Sequence, residues 1–206
     1  HEETMKKLFF RYSWPPVLCV VTIFAQPLYA DSTALEHLKT SLTSVQQVLN
    51  DPKLTGEKHF HQRRILVRIV LQKLFDFDEM SRRSLGANAR RHKDRLPEFT
   101  PLFVDFLEHT YMAELEANGD AKIHYVKEIR DGNYVHIKTA TRLKDRSEYG
   151  VDYKLHHTPE GWRVYDVIVE GISLVNNYRS QFDRMLTRRS FDDLLQELRD
   201  KKEKFN

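Results

Sequence analysis

The chain has 206 residues, of which 40% are hydrophobic and 31% charged, with a formal net charge of +3. That length suffices for one domain with its own core, and so heavily charged a composition excludes a polytopic membrane protein. A charge this small, with no dense basic stripe, argues against a nucleic-acid partner.

The first signal is at the N-terminus. After HEET, Lys6, Lys7 and Arg11 form a positive segment, and residues 17–25 are apolar except for Thr22. Leu28-Tyr29-Ala30 then places a small residue before Asp31, the pattern of a cleavable export signal. The apolar run falls well short of the ~20 residues that span a bilayer, and Pro27 closes it. Residues 1–30 are therefore expected to be upstream sequence plus a signal peptide, and residues 31–206 the working domain in the periplasm; an uncleaved anchor is the alternative. The single cysteine, Cys19, lies in the apolar run. Pro16-Val17-Leu18 before it lacks the small residue of a lipoprotein signal. The exported chain would thus have no disulfide, thiolate metal site or cysteine nucleophile.

Leu35, Leu38, Leu42, Val45 and Leu49 recur at helical spacing and predict a helix over residues 33–49, ended by Asn50-Asp51-Pro52. A second helix is expected over 56–75, on Ile65, Leu66, Ile69, Val70 and Leu74. Asp78 is positioned to cap a short third helix over 79–85, stopped by Gly86. Thr100-Pro101 reads as the start of a fourth, with proline at its first position and a stripe of Phe103, Phe106, Leu107, Tyr111 and Leu115. From Lys122 the period becomes two. Strands are predicted over 123–129, 134–143, 149–155 and 162–169, joined by the hairpin segments Asp131-Gly132-Asn133, Lys144-Asp145-Arg146 and Thr158-Pro159-Glu160-Gly161. After Gly171, Leu174, Val175, Tyr178, Phe182 and Met185 mark a helix. Ser190 and Asp193 form a capping box for a last one, which ends in the polar tail 200–204. The class is α+β: helices folded over a curved four-stranded antiparallel sheet, a cone-like, NTF2-like arrangement around an apolar pocket.

Catalytic motifs are scarce. His59-x-His61 and His156-His157 pair imidazoles, but no third ligand stands at a familiar spacing, so no metal is expected. GxSxG, GxGxxG and the P-loop are all missing. Asp152 and Asp166 lie in strands. In an apolar pocket either would have a raised pKa and suit a general base, whereas on the outside it is an ordinary surface carboxylate. Arg82, Arg83, Arg90, Arg91 and His92 make RRSLGANARRH cationic, fit for a phosphate head group or acidic membrane, or simply a solvated face.

The segment WRVYDVIVEGISLVNNYRSQF is apolar on both sides of its strand. Alternation puts Trp162, Val164 and Ile168 on one face and Tyr165, Val167 and Val169 on the other, so the strand needs two covers. VYDVIVEGISLVNNYRSQF resembles the signature of the toluene-tolerance family, the MlaC-type periplasmic phospholipid carriers. FDFDEMSRRSLG is similar to that family's Phe-Asp-Phe-x-x-Met-Ser-x-x-x-Leu-Gly segment, and FVDFLEHTYMAEL to its central aromatic helix. Ile172, where valine is common, and Asn176, a variable position, are small departures.

The resemblance implies a carrier without cofactor or catalysis, with a phospholipid as ligand. Its partners would be an outer-membrane lipoprotein complex and an inner-membrane ABC transporter bearing an MCE-domain ring, and its role the maintenance of outer-membrane lipid asymmetry. A diacyl lipid has some thirty methylenes; at ~0.8 kcal/mol each, exposing them to water costs about 25 kcal/mol. Tails must therefore pass from bilayer to protein interior and back, an exchange that needs no nucleotide site. The residues expected to face such a pocket are Phe103, Leu107, Tyr111, Tyr125, Ile137, Tyr153, Val167, Ile172, Val175 and Tyr178, with Arg82, Arg83 or Arg179 near the head group. A small pocket enzyme using Asp152 or Asp166, or a protein adaptor, is the alternative. A monomer is expected.

Overall fold

The computed structural model describes residues 33–203. The signal-peptide segment, Cys19 and the last residues of the polar tail lie outside them. Helix α1 (Ala34–Leu49) opens on a reciprocal cap. The Glu36 N–H donates to Thr33 Oγ1 at 3.2 Å, and the Thr33 N–H donates to Glu36 Oε2 at 3.1 Å. Helix α2 (Phe60–Leu74) begins four residues later than its periodicity predicts, because Gly56 and a 3-10 turn over Glu57–His59 fill the approach. Helix α3 (Phe77–Leu85) is capped by Asp76, not Asp78: Asp76 Oδ1 accepts from the Glu79 N–H at 2.8 Å. Gly86, at φ +56°, ends α3 and leads into α4 (Ala87–Arg91), a short helix the sequence reading did not foresee.

Helix α5 (Leu96–Ala117) corrects the Thr100-Pro101 start. It begins a turn earlier, with Pro97 in the first turn, where no donor is needed, and Pro101 inside the helix, where one is forgone. Packing explains the extension. Phe99, in that early turn, is fully buried and stacks on Phe103 at 5.4 Å and edge-on to Phe182 at 5.6 Å. Burial of an aromatic of that size contributes about 1.5–3 kcal/mol, which offsets a large part of the proline's cost of about 3 kcal/mol.

The sheet is an antiparallel meander in the order β1 (Lys122–Asp131), β2 (Tyr134–Arg142), β3 (Glu148–Thr158), β4 (Gly161–Val169) and β5 (Ile172–Ser173). The sheet is open and has five strands, not four. Glu170 and Gly171, both at positive φ, make a two-residue turn that folds Ile172 back opposite Val169.

A bulge changes the facing of β4. Val164 pairs with Leu155 and Asp166 with Lys154, leaving Tyr165 as an extra residue. Val167 therefore pairs with Tyr153 and shares a face with Trp162 and Val164, whereas Tyr165 meets Tyr134 and His156 on the opposite side. The strict alternation expected for this strand fails at that one residue. Its two covers both come from the chain itself. One face of the sheet packs on α1 and α2 through Val135, Ile137, Leu155, Trp162 and Val164 against Ala34, Leu38 and Leu74. Toward the other, Arg83 of α3 stacks over Tyr165 at 4.2 Å, and helix α6 (Leu174–Leu186) is held by Asp166.

A second core unites α3, α5, α6 and α7 (Phe191–Glu203) around Met80, Phe99, Phe103, Tyr178, Phe182 and Leu195. Ser190 and Asp193 form the predicted box at the start of α7, and the helix continues through Asp200 to Glu203. A smaller cluster of Val45, Val67 and Met112 ties α1, α2 and α5 together.

Candidate lipid-binding interior

The apolar interior is built in two parts, and the ten residues expected to face a pocket divide between them. Phe103, Leu107, Val175 and Tyr178 are buried in the helical core, with Tyr111 packed against it. Ile137 and Tyr153 are buried in the sheet core, with Tyr125 and Val167 packed against that. Phe75, at the end of α2, touches both. Ile172 joins neither: it is 66% exposed on β5, across from Val169, which is 42% exposed. These two residues make an apolar rim at the end of the sheet where Val151 pairs with Val169.

On the helical side the aromatic stripe of α5 meets α6. Phe103 lies edge-on to Tyr178 at 5.3 Å and to Phe182 at 5.4 Å, and the Tyr111 and Tyr178 hydroxyls hydrogen-bond at 3.2 Å. Burial and then that bond push the Tyr178 ionisation far upward. On the sheet side Tyr125 and Tyr149 both lie close enough to act on Tyr153. Burial raises all three, Tyr153 most strongly, with the other two hydroxyls adding to its shift. The phenols of Tyr125, Tyr149, Tyr153 and Tyr178 are thus held in the neutral form. Such side chains offer acyl chains an apolar ring and keep a hydroxyl for an ester or phosphate oxygen.

An open cleft of about 470 Å³ lies between Leu42 and Gln46 of α1, its cap residue Asn50, and Ile123 and Tyr125 of β1. Of the ten expected residues only Tyr125 lines it. Its edge is fixed by Gln46 Nε2 donating to the Ala121 carbonyl and Asn50 Nδ2 donating to that of Gly119, both at 2.7 Å. Tyr149 and Leu42 were not singled out from sequence, though both carried a signal. Tyr149 shares the period-two register of Val151 and Tyr153, and Leu42 belongs to the apolar stripe of α1.

The other candidates are accounted for. Asp166 is 4% exposed, accepts from Ser173 Oγ at 2.7 Å and from the Val175 N–H at 3.1 Å, and so pins the first turn of α6 to β4. Asp152 meets His136 Nε2 at 2.9 Å on the sheet face away from α1. His156 likewise meets Asp76 at 2.9 Å, while His157 sits edge-on to Trp162 at 5.0 Å. Among the described residues no three His, Cys, Asp or Glu side chains gather as a metal site would require. Arg82 and Arg83 are both bound to Glu79, at 2.7 Å each, and His92 stacks on Phe191. Arg179 is exposed and lies over Gly86.

No curated protein matches this sequence. Among solved structures, a phospholipid-binding protein from Ralstonia solanacearum, itself in complex with a phospholipid, superposes with a TM-score of 0.75 at 22% identity, over 84% of this chain and 99% of its own. The match establishes the fold. The family model described as MlaC protein fits residues 39–200, from the second turn of α1 to the last turns of α7. The chain belongs to the MlaC family.

Proposed function

We propose that this protein binds phospholipid by its acyl chains and carries lipid between membranes. The observation that carries this reading is the bound phospholipid in the Ralstonia solanacearum protein, held by the same fold that this chain adopts over 84% of its length. The divided interior fits the role. The interior is divided into two apolar clusters that share only Phe75 among the described residues, and acyl chains entering between them would be covered by apolar side chains on both sides. Tails then replace protein–protein contact by protein–lipid contact of similar apolarity, and the exchange stays near balance.

In the finer reading the protein works in the periplasm after removal of residues 1–30. There it exchanges lipid with an outer-membrane lipoprotein complex and an inner-membrane ABC transporter carrying an MCE-domain ring, and so maintains outer-membrane asymmetry. It acts as a carrier rather than an enzyme: Asp166 is committed to α6, and Asp152 to His136. Protein purified without detergent, extracted with organic solvent and analysed by mass spectrometry should yield phospholipid near one molecule per chain. Extracts free of lipid from folded protein would sink the reading. Cell fractionation with N-terminal sequencing tests the location; a mature chain that does not begin near Asp31 speaks against export by this signal.

A further inference from the structure

The cationic charge of the domain is concentrated on one surface. Residues 82–95 and 179–189 hold ten Lys or Arg against two Asp, whereas the rest of residues 31–206 holds twenty against twenty-six Asp or Glu. The two segments adjoin: Asn88 Nδ2 of α4 donates to Asp183 Oδ1 of α6 at 3.3 Å, and the Arg179 side chain crosses Gly86. Elsewhere most arginines are neutralised, as Arg63, Arg64, Arg68, Arg130 and Arg142 are by carboxylates. Here Arg90, Arg91, Arg179, Arg184 and Arg188 are all exposed, and none has a carboxylate within ion-pair distance among the described residues. An arrangement that leaves five guanidiniums unpaired on a nearly neutral domain is costly in self-repulsion and gains only when an anion arrives.

We infer that the α4–α6 surface adsorbs the protein onto a bilayer bearing anionic phospholipid head groups. The chemistry favours phosphate, because guanidinium forks grip its oxygens in pairs. It favours a bilayer over a protein, because protein interfaces are built on apolar and aromatic anchors. Among the described residues the exposed large hydrophobic side chains, such as Ile65, Leu115, Val126, Tyr134 and Ile172, lie on α2, α5 and the strands, none on α4 or α6. Adsorption to an anionic membrane needs no such anchor, only a basic face within a Debye length of the head groups. The inference goes beyond the carrier reading: it concerns where the molecule rests, not what it holds.

Co-sedimentation with vesicles of phosphatidylcholine containing phosphatidylglycerol, at low salt, tests it. The protein should bind these, leave neutral phosphatidylcholine vesicles in the supernatant, and detach in 1 M NaCl, where the Debye length is about 3 Å. The triple variant R90Q/R184Q/R188Q touches neither apolar core and should keep the parent's thermal midpoint and extractable lipid. Its vesicle affinity should fall about a hundred-fold, from roughly five-fold per cation. Equal binding by parent and variant, or equal binding to neutral vesicles, overturns the proposal. Binding to immobilised polyglutamate with none to anionic vesicles assigns the surface to an acidic protein and overturns it as well. Adsorption by a protein that yields no lipid on extraction would leave this proposal standing and remove the carrier function; lipid in the extract without adsorption would do the reverse.

Discussion

Asp166→Ala is the most informative substitution in the molecule. The carboxylate is buried, and its two oxygens serve two different groups on the next element, Ser173 Oγ and the Val175 N–H. Lys154 Nζ, at 4.0 Å, adds little. Alanine removes both acceptors and leaves a backbone donor in the first turn of α6 without a partner. At about 1–3 kcal/mol per orphaned buried group, the loss should reach about 3 kcal/mol. Asparagine keeps one acceptor and the shape but forfeits the negative charge at the helix N-terminus, a loss of about 1–2 kcal/mol. In a domain of this size each kcal/mol lowers Tm by roughly 2–4 °C, so alanine should cost about 6–12 °C and asparagine about half that. Urea denaturation followed by circular dichroism gives the free energies, and hydrogen exchange at the Val175 amide reports the local loss. An alanine variant within about 0.5 kcal/mol of the parent would refute the anchoring role.

Three further expectations follow from single groups. Burial raises the Glu79 carboxyl, but the hydrogen bonds from Arg82 and Arg83 outweigh it, so its ionisation lies below the usual carboxylate range. Its contribution to stability is present above the unfolded value near pH ~4.3 and lost as pH falls through the lower folded one, so Glu79→Gln should cost under ~1 kcal/mol at neutral pH and nothing in strong acid. A penalty that persists in acid would contradict this. Tyr153 and Tyr178, raised by burial, should contribute no phenolate absorbance at 295 nm while the fold persists. Their stabilisation should fade as pH climbs above the unfolded tyrosine value near ~10; complete tyrosine titration with native circular dichroism retained would be the contrary result. Gly86 has φ +56° and ψ −125°, and a methyl group there would sit 2.7 Å from Arg179 Nε. Gly86→Ala should cost about 1–3 kcal/mol in urea, mostly as backbone strain because the arginine can swing away; an unchanged midpoint would show that the backbone relaxes.

The elements that periodicity and turn chemistry revealed were those stabilised locally. The hairpin segments at Asp131-Gly132-Asn133 and Thr158–Gly161 and the Ser190 box needed only neighbouring residues, and the helix from Leu174 shows its own apolar period and Ser173 cap. The true start of α5 depends on Phe99 reaching Phe182 and Phe191, contacts more than eighty residues away in sequence, so a local proline rule pointed to the wrong turn. The fifth strand is two residues long, too short to show a period, although the Glu170-Gly171 pair between two branched residues was a hairpin cue. Within the interior, sequence placed Phe103, Leu107, Val175 and Tyr178 together, as the helical core has them. It had no means of separating them from Ile137 and Tyr153, because the division into two cores is decided by how α1 and α2 lie on the sheet.

The extra residue in β4 has a consequence for how this strand tolerates change. Removing one residue from a strand ordinarily reverses every side chain beyond the cut. Here the pairings of Val164 with Leu155 and of Asp166 with Lys154 are already adjacent across the gap that Tyr165 fills. Losing that tyrosine would restore a regular ladder and keep Val167 over Tyr153, at the expense of local twist and of the ring's contacts with Arg83, Tyr134 and His156. Length in this strand is therefore negotiable at the bulge, whereas a deletion in the regular ladder on either side of it reverses the side chains beyond the cut.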